Sequence, residues 1–382
     1  MSYPIFSFFS GSGFLDLGFE NSGFDVVYVN EIHTPFLKSY KHSRNMLKIE
    51  EPRFGYHNGD ITELLEQEHL REYIDIIKSE NSVFGFIGGP PCPDFSVGGK
   101  NRGREGENGK LSGTYVDLIC QHKPSFFLFE NVKGLWRTKR HREFFEEMKS
   151  KLHANGYVTT ERLINSLEYG SAQHRERIIL LGFRRELLDQ VGYNIEDKGI
   201  DAILPNGLFP WENHLKYSME KIENIPWPIV NEFEEDSVIP KPEDIIEELT
   251  VEHWFRKNDV DNHPNSKQFF TPRAGLAKFL VIEEGDDSKK SYKRLHRWRY
   301  SPTAAYGNNE VHLHPYKARR LTVAEALAIQ SLPKNFEIPT DISLTDAFKT
   351  VGNGVPYLAS LGIAETIKDF LGGYKRNEIN RS

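Results

Sequence analysis

The chain has 382 residues, of which 38% are hydrophobic and 27% charged, with a formal net charge of −7. These are the proportions of a soluble globular protein long enough for two domains. They argue against a membrane-embedded chain and against a wholesale nucleic-acid coat, though not against a local basic surface. The two cysteines, Cys92 and Cys120, cannot form a disulfide framework, so a reducing, cytoplasmic setting is expected. The start, MSYPIFSFFSGSGF, has no basic flank before its apolar residues and does not read as a signal peptide.

Residues 1–185 alternate strand and helix signals. Ile5–Phe9 reads as a strand and Phe14–Asn21 as a helix stopped by Gly23. Asp25–Asn30 is the next strand and Thr34–His42 the next helix. Gly59–Ile61 marks a third strand end, followed by a helix across Glu63–Ser79. Val83–Ile87 is a short buried strand, then come a helix around Tyr115–His122 and the strand Phe126–Phe129. Val158–Asn165 and Arg177–Phe183 form a late strand pair. Strands spaced by helices in this way predict an α/β fold, a doubly wound, mostly parallel sheet.

Beyond Arg185 the periodicity fades and prolines and tryptophans become frequent, which predicts a smaller irregular domain. Glu232–Glu252 is acidic, whereas SKKSYKRLHRWR at Ser288–Arg299 is basic with aromatics interleaved. Helix signals return at Thr322–Leu332, with Thr322 and Glu325 at reciprocal capping positions, and again from Tyr357 to Phe370. The expected division is residues 1–185 plus 340–382 in one domain and 186–339 in the other.

The chemistry-bearing candidates cluster at predicted strand ends. Gly88 and Gly89 turn the chain, Pro90 and Pro91 stiffen it, and Cys92 follows where open parallel sheets collect ligands. A small buried hydrophobe is the plainer reading of a free cysteine. Phe9, Gly11 and Gly13 lie between the first strand and first helix, without the GxGxxG spacing. Glu31 and Asp60 end the next two strands, where they suit ribose hydroxyls and an adenine amino group; a tight turn and solvated acids are the alternative. Glu130 ends an apolar strand, so desolvation should favour its protonated form and suit a general acid, or it simply caps a helix. Arg175 and Arg177, at i and i+2, fall on one side of a strand, able to meet a phosphate and a base carbonyl, or forming an exposed charged edge. Lys100–Lys110 is a glycine-rich cationic loop, read as a surface loop or a lid over an anionic polymer.

Taken together these blocks resemble the bacterial C5-cytosine DNA methyltransferases. The hallmarks run in order: FSGSG, Glu31, GDI at Gly59–Ile61, GGPPCPDFS, FENV at Phe129–Val132, QHRER, RRLTVAEALAIQSLP at Arg319–Pro333 and VGNGVP at Val351–Pro356. The resemblance implies that Cys92 attacks C6 of a flipped cytosine and that Glu130 protonates N3. It also implies that Arg177 contacts O2 and that Arg175 steadies the flipped phosphate and Cys92. S-adenosylmethionine would be the cofactor, in a pocket lined by Phe9, Gly11, Gly13, Glu31, Ile32, Asp60, Ile61 and Asn353. Double-stranded DNA would be the partner, with a companion restriction endonuclease, and the protein would act as a monomer away from membranes. The variable segment would recognise the target, giving Ser96, Lys100, Arg102, Arg273, Lys293, Arg294, Arg297 and Arg299 as candidate DNA contacts.

One position departs from the family pattern: Pro93 stands where a glutamine usually follows the nucleophile. Three rival readings are an RNA methyltransferase on the same scaffold, a non-catalytic DNA-binding relative and a nucleotide-dependent oxidoreductase. No cysteine follows Cys120, which favours DNA over RNA. The Cys92, Glu130 and Arg177 set argues against the second rival and the missing GxGxxG against the third.

Overall fold

The computed structural model describes residues 2–80, 83–91, 107–190, 193, 202–272, 276–289, 291–304, 306 and 311–379. Five expected site residues, Cys92, Ser96, Lys100, Arg102 and Arg273, lie outside these residues, as does most of the Lys100–Lys110 loop. The elements begin with β1 (Pro4–Phe8), α1 (Phe14–Asn21), β2 (Asp25–Asn30), α2 (Thr34–Leu47), β3 (Tyr56–His57) and α3 (Glu68–Glu80). They continue with β4 (Gly85–Gly88), α4 (Glu107–His122), β5 (Phe126–Val132), α5 (Lys133–Arg137), α6 (Lys139–Ala154), β6 (Tyr157–Asn165), β7 (Glu176–Arg184) and α7 (Arg185–Gln190). The strands form a seven-stranded sheet in the order β3-β2-β1-β4-β5-β7-β6. β1 to β5 are parallel, and β7 runs antiparallel to both β5 and β6.

The strands are apolar on both faces because helices cover both. Along β5, Phe126 and Leu128 enter one core with Ile5, Val26 and α13 (Tyr357–Ile379), while Phe127 and Phe129 enter another with Phe6, Phe8, Ile74 and Phe145. This period of two is the pleat itself.

The structure departs from the expected elements at the third strand, which shrinks to two residues. Gly59 and Asp60 lead instead into a 3-10 turn, Ile61–Leu65, capped by Asp60, whose Oδ1 accepts the Thr62 N–H at 2.8 Å. The helix expected from Glu63 therefore starts only at Glu68. The segment after α7 holds short helices, α8 (Met219–Glu223), α9 (Val251–Lys257) and α10 (Leu276–Val281), in otherwise irregular chain. α11 (Val323–Ile329) and α12 (Leu344–Asn353) follow. A third core joins Trp254 and Phe255 of α9 to Leu327 of α11, Phe348 of α12 and Phe14 of α1, so packing continues across position 340 without a break.

Candidate active site

Sheet register decides which residues meet. Phe8 pairs with both Asn30 and Gly88, and Gly88 pairs with Phe129. The residues that follow, Phe9, Glu31, Gly89 and Glu130, therefore emerge along one rim. Between β1 and β4 the strand order reverses, and such a switch point opens a crevice at the carboxyl ends of the strands.

On the β4–β5 side, Glu130 is buried and its Oε1 lies 2.9 Å from Arg177 Nε. Its other oxygen faces Gly89 so closely that a Cβ there would fall 2.7 Å from it, which explains why glycine stands at that turn. Burial pushes the Glu130 carboxyl above the usual range, against the opposing pull of Arg177 and Arg175. Asn131, fully buried, donates from Nδ2 to the Pro90 carbonyl at 3.3 Å and so fixes the turn that leads into Cys92. Asn131 was not among the expected site residues, although its place beside Glu130 was the available signal.

Arg175 and Arg177 do not share a strand face. Arg177 belongs to β7, but Arg175 precedes it, is 1% exposed, and donates to Ala304 O at 3.0 Å and Gly352 O at 2.8 Å. The bond to Gly352 makes Arg175 a brace for the last turn of α12. Gln330 supports the same turn, its Nε2 donating to Val351 O at 2.7 Å. The turn presents Asn353 on the surface.

On the β1–β2 side, Phe9, Gly11 and Gly13 all have positive φ, at 54°, 57° and 77°. Glycine adopts this conformation readily, whereas Phe9 holds it under strain of the kind that gathers at functional sites. Glu31, 7% exposed, accepts the Gly11 N–H on Oε2 at 2.8 Å and the His33 N–H on Oε1 at 2.7 Å. Burial raises its pKa and these two bonds oppose the rise. Each oxygen retains a second lone pair for a hydroxyl. Ile32 beside it is 59% exposed, an apolar platform next to a buried acid. Asp60 is half-buried and takes both the N–H and the hydroxyl of Thr62 on Oδ1. Ile61 differs from its expected role: at 2% exposure its side chain packs in the core beneath the sheet rather than lining the crevice.

A sequence profile of the C-5 cytosine-specific DNA methylases matches residues 3–369. The chain belongs to this family. Over 372 residues it is 56% identical to the Type II methyltransferase M.NmeDI of Neisseria meningitidis serogroup C, covering 96% of this chain and 84% of that protein. It is 29% identical over 375 residues to M.FnuDI, a Type II methyltransferase of Fusobacterium nucleatum, covering 96% of this chain and 94% of that one. Among solved structures, a chain described as a prophage-encoded DNA modification methyltransferase (E. coli) superposes with a TM-score of 0.63 at 20% identity, covering 97% and 100% of the two chains. The Entamoeba histolytica methyltransferase EhMeth does so with 0.58 at 14%, covering 97% and 98%. The fold is thus that of these methyltransferase structures, and the chain is a C5-cytosine-specific DNA methyltransferase.

The basic segment of this methyltransferase divides by burial. Lys293 and Arg299 are half-buried. Arg294 is fully buried and donates to the carbonyls of Ile282 at 2.7 Å, His314 at 2.5 Å, Lys317 at 3.1 Å and Phe279. Arg297 forks onto both Glu284 oxygens at 2.8 Å. The expectation that these two arginines contact DNA is corrected here: their donors are spent inside the protein, holding separate loops together. Among the described residues no helix is long and apolar enough to cross a membrane.

Proposed function

We propose that this methyltransferase modifies double-stranded DNA with S-adenosylmethionine as methyl donor and Cys92 as nucleophile. The residues of the β1–β2 rim suit such a cofactor: Glu31 offers lone pairs for ribose hydroxyls, Ile32 a face for adenine, and Asp60 an acceptor for its amino group. Gly11 and Gly13 shape the loop around them, and Asn353 offers an amide. When bound, the cofactor supplies an electrophilic methyl group.

The observation that carries the reading is the buried Glu130–Arg177 pair beside the Gly89–Pro91 turn. Its ion-pair distance of 2.9 Å leaves a carboxyl and a guanidinium side by side, matching N3 and O2 of one cytosine. Glu130, kept protonatable by burial, holds a proton at N3 while the Cys92 thiolate bonds to C6. C5 then takes the methyl group, water accepts the C5 proton, and the thiolate leaves. Extruding the base costs on the order of a few kcal/mol, which bonds to its edge offset. Residues 186–339 act as the target-recognition domain, with Lys293 and Arg299 from this segment, and Ser96, Lys100, Arg102 and Arg273, as DNA contacts. The protein works as a monomer, in the cytoplasm, beside a restriction endonuclease of the same site, as the Type II names of its relatives suggest.

Incubation with duplex DNA carrying 5-fluorocytosine tests the reading. The wild-type chain should form a covalent adduct and Cys92→Ser none. Glu130→Gln should lower methyl transfer from labelled cofactor by roughly 10²–10⁴-fold. A wild-type chain that methylates DNA without forming the adduct would refute the cysteine mechanism.

A further inference from the structure

The glycine loop after β1 rests on a buried charged cluster that the methyl-transfer chemistry does not use. Arg44 reaches it from α2 and is 2% exposed. Its Nη2 donates to Gly13 O at 2.7 Å and to Glu20 Oε2 at 2.8 Å, and its Nη1 to Ser12 O at 3.3 Å. The guanidinium stacks 4.1 Å from the Tyr40 ring centroid. Tyr40 in turn donates its hydroxyl to Asp16 Oδ2 at 2.9 Å, and Ser7 donates to Oδ1 at 2.9 Å. One network thus ties together β1, the loop, α1 and α2.

Stability alone does not account for such a cluster, because well-packed apolar residues in place of a buried ion pair are often neutral or stabilising. What an apolar plug cannot do is bind two successive carbonyls. Arg44 holds Ser12 and Gly13 from beneath, while Ser12 Oγ meets Thr350 Oγ1 of α12 at 2.7 Å and Gly11 N–H reaches Glu31. The fit is close: a Cβ on Gly13 would fall 2.5 Å from both Arg44 Nη1 and Tyr40 Cε2.

We propose that Arg44 is a positioning residue for the cofactor, holding the glycine loop, and through Gly11 the Glu31 carboxylate, in the geometry that binds S-adenosylmethionine. This rests on the cofactor reading above. Lysine cannot replace it, since an ammonium lacks the planar fork that serves two carbonyls and a carboxylate at once.

The test is Arg44→Lys in the full chain. Calorimetry should show S-adenosylhomocysteine bound at least tenfold more weakly, with the KM for S-adenosylmethionine raised by the same factor. Duplex affinity by fluorescence anisotropy and kcat at saturating cofactor should stay within twofold of wild type. Wild-type affinity in the folded variant would overturn the proposal, as would cofactor and DNA affinities falling in parallel with the melting temperature. If Arg44→Lys does not fold, Glu20→Gln serves: a severalfold loss of S-adenosylhomocysteine affinity supports the proposal and no loss overturns it. A wild-type chain that does not bind S-adenosylhomocysteine fails the cofactor reading first, and this inference with it.

Discussion

Glu130 and Asp16 are both buried, and burial pushes both carboxyls above the usual range. At Glu130 the shift serves a proposed proton donor on the rim. At Asp16, beneath the loop, burial outweighs Arg44 and the hydroxyls of Ser7 and Tyr40, leaving the pKa at about 6 against an ordinary 3.8. A carboxyl whose pKa is raised by folding holds its proton more tightly in the folded state. Its ionised form therefore opposes folding fully above pH 6, and the opposition fades as pH falls from about 6 toward 4. A shift from 3.8 to about 6 corresponds to about 3 kcal/mol. Urea unfolding of Asp16→Asn and wild type should show the difference between them moving in favour of asparagine, by up to about 3 kcal/mol, between pH 4 and pH 8. A difference that stays constant across this range would show that Asp16 does not titrate as described.

At the scale of elements, the rim is held by turns whose side-chain partners are distant in sequence. The turn after β4 is pinned by Asn131 from β5, and the last turn of α12 by Arg175 and Gln330. α11 carries its own support, a capping box in which Glu325 also receives both Arg319 Nη atoms, at 2.7 and 2.9 Å. The tightest approach is at Gly89. Alanine there would place its Cβ 2.7 Å from Glu130 Oε2, and because Arg177 holds the carboxylate, relief must come from displacing that pair. Gly89→Ala should lower kcat by tenfold or more while the melting temperature changes by only a few degrees, since a displacement of about 1 Å can cost roughly 10²-fold in rate. Wild-type kcat in that variant would mean the turn and the carboxylate are not in contact during turnover.

Across the whole molecule, the catalytic sheet is closed by both ends of the chain. Ser360 Oγ donates to Leu15 O, Lys368 Nζ to Ser22 O, and Tyr3 OH to Leu371 O. The net charge of −7 means that DNA must be met by local rather than overall charge. Burial separates two kinds of basic residue in one short run. Lys293→Ala should reduce the slope of log affinity against log salt by about 1 and leave stability nearly unchanged. Arg294→Ala should leave that slope intact but destabilise the fold by roughly 3 kcal/mol or more, by stranding carbonyls at the end of α10 and in the loop that carries His314 and Lys317. The reverse pattern would place Arg294, not Lys293, against the phosphates.

Local chemistry settled a good deal in advance. α1 and β2 run between the residues their signals marked, and Thr322 and Glu325 cap α11 as their spacing required. Alternation, glycine stops and capping pairs act within a few residues, so they can be read along the chain. The placing of Glu31 and Glu130 on one rim followed once strand register was known. Only the tertiary structure decided that Arg175 braces the Gly352 turn, that Arg294 and Arg297 are interior, and that Arg44 lies under the glycine loop. The reason is physical: an arginine can be buried only where enough carbonyls and carboxylates converge on it. Those of Arg294 come from positions 279, 282, 314 and 317, brought together by folding and by nothing in the neighbouring sequence.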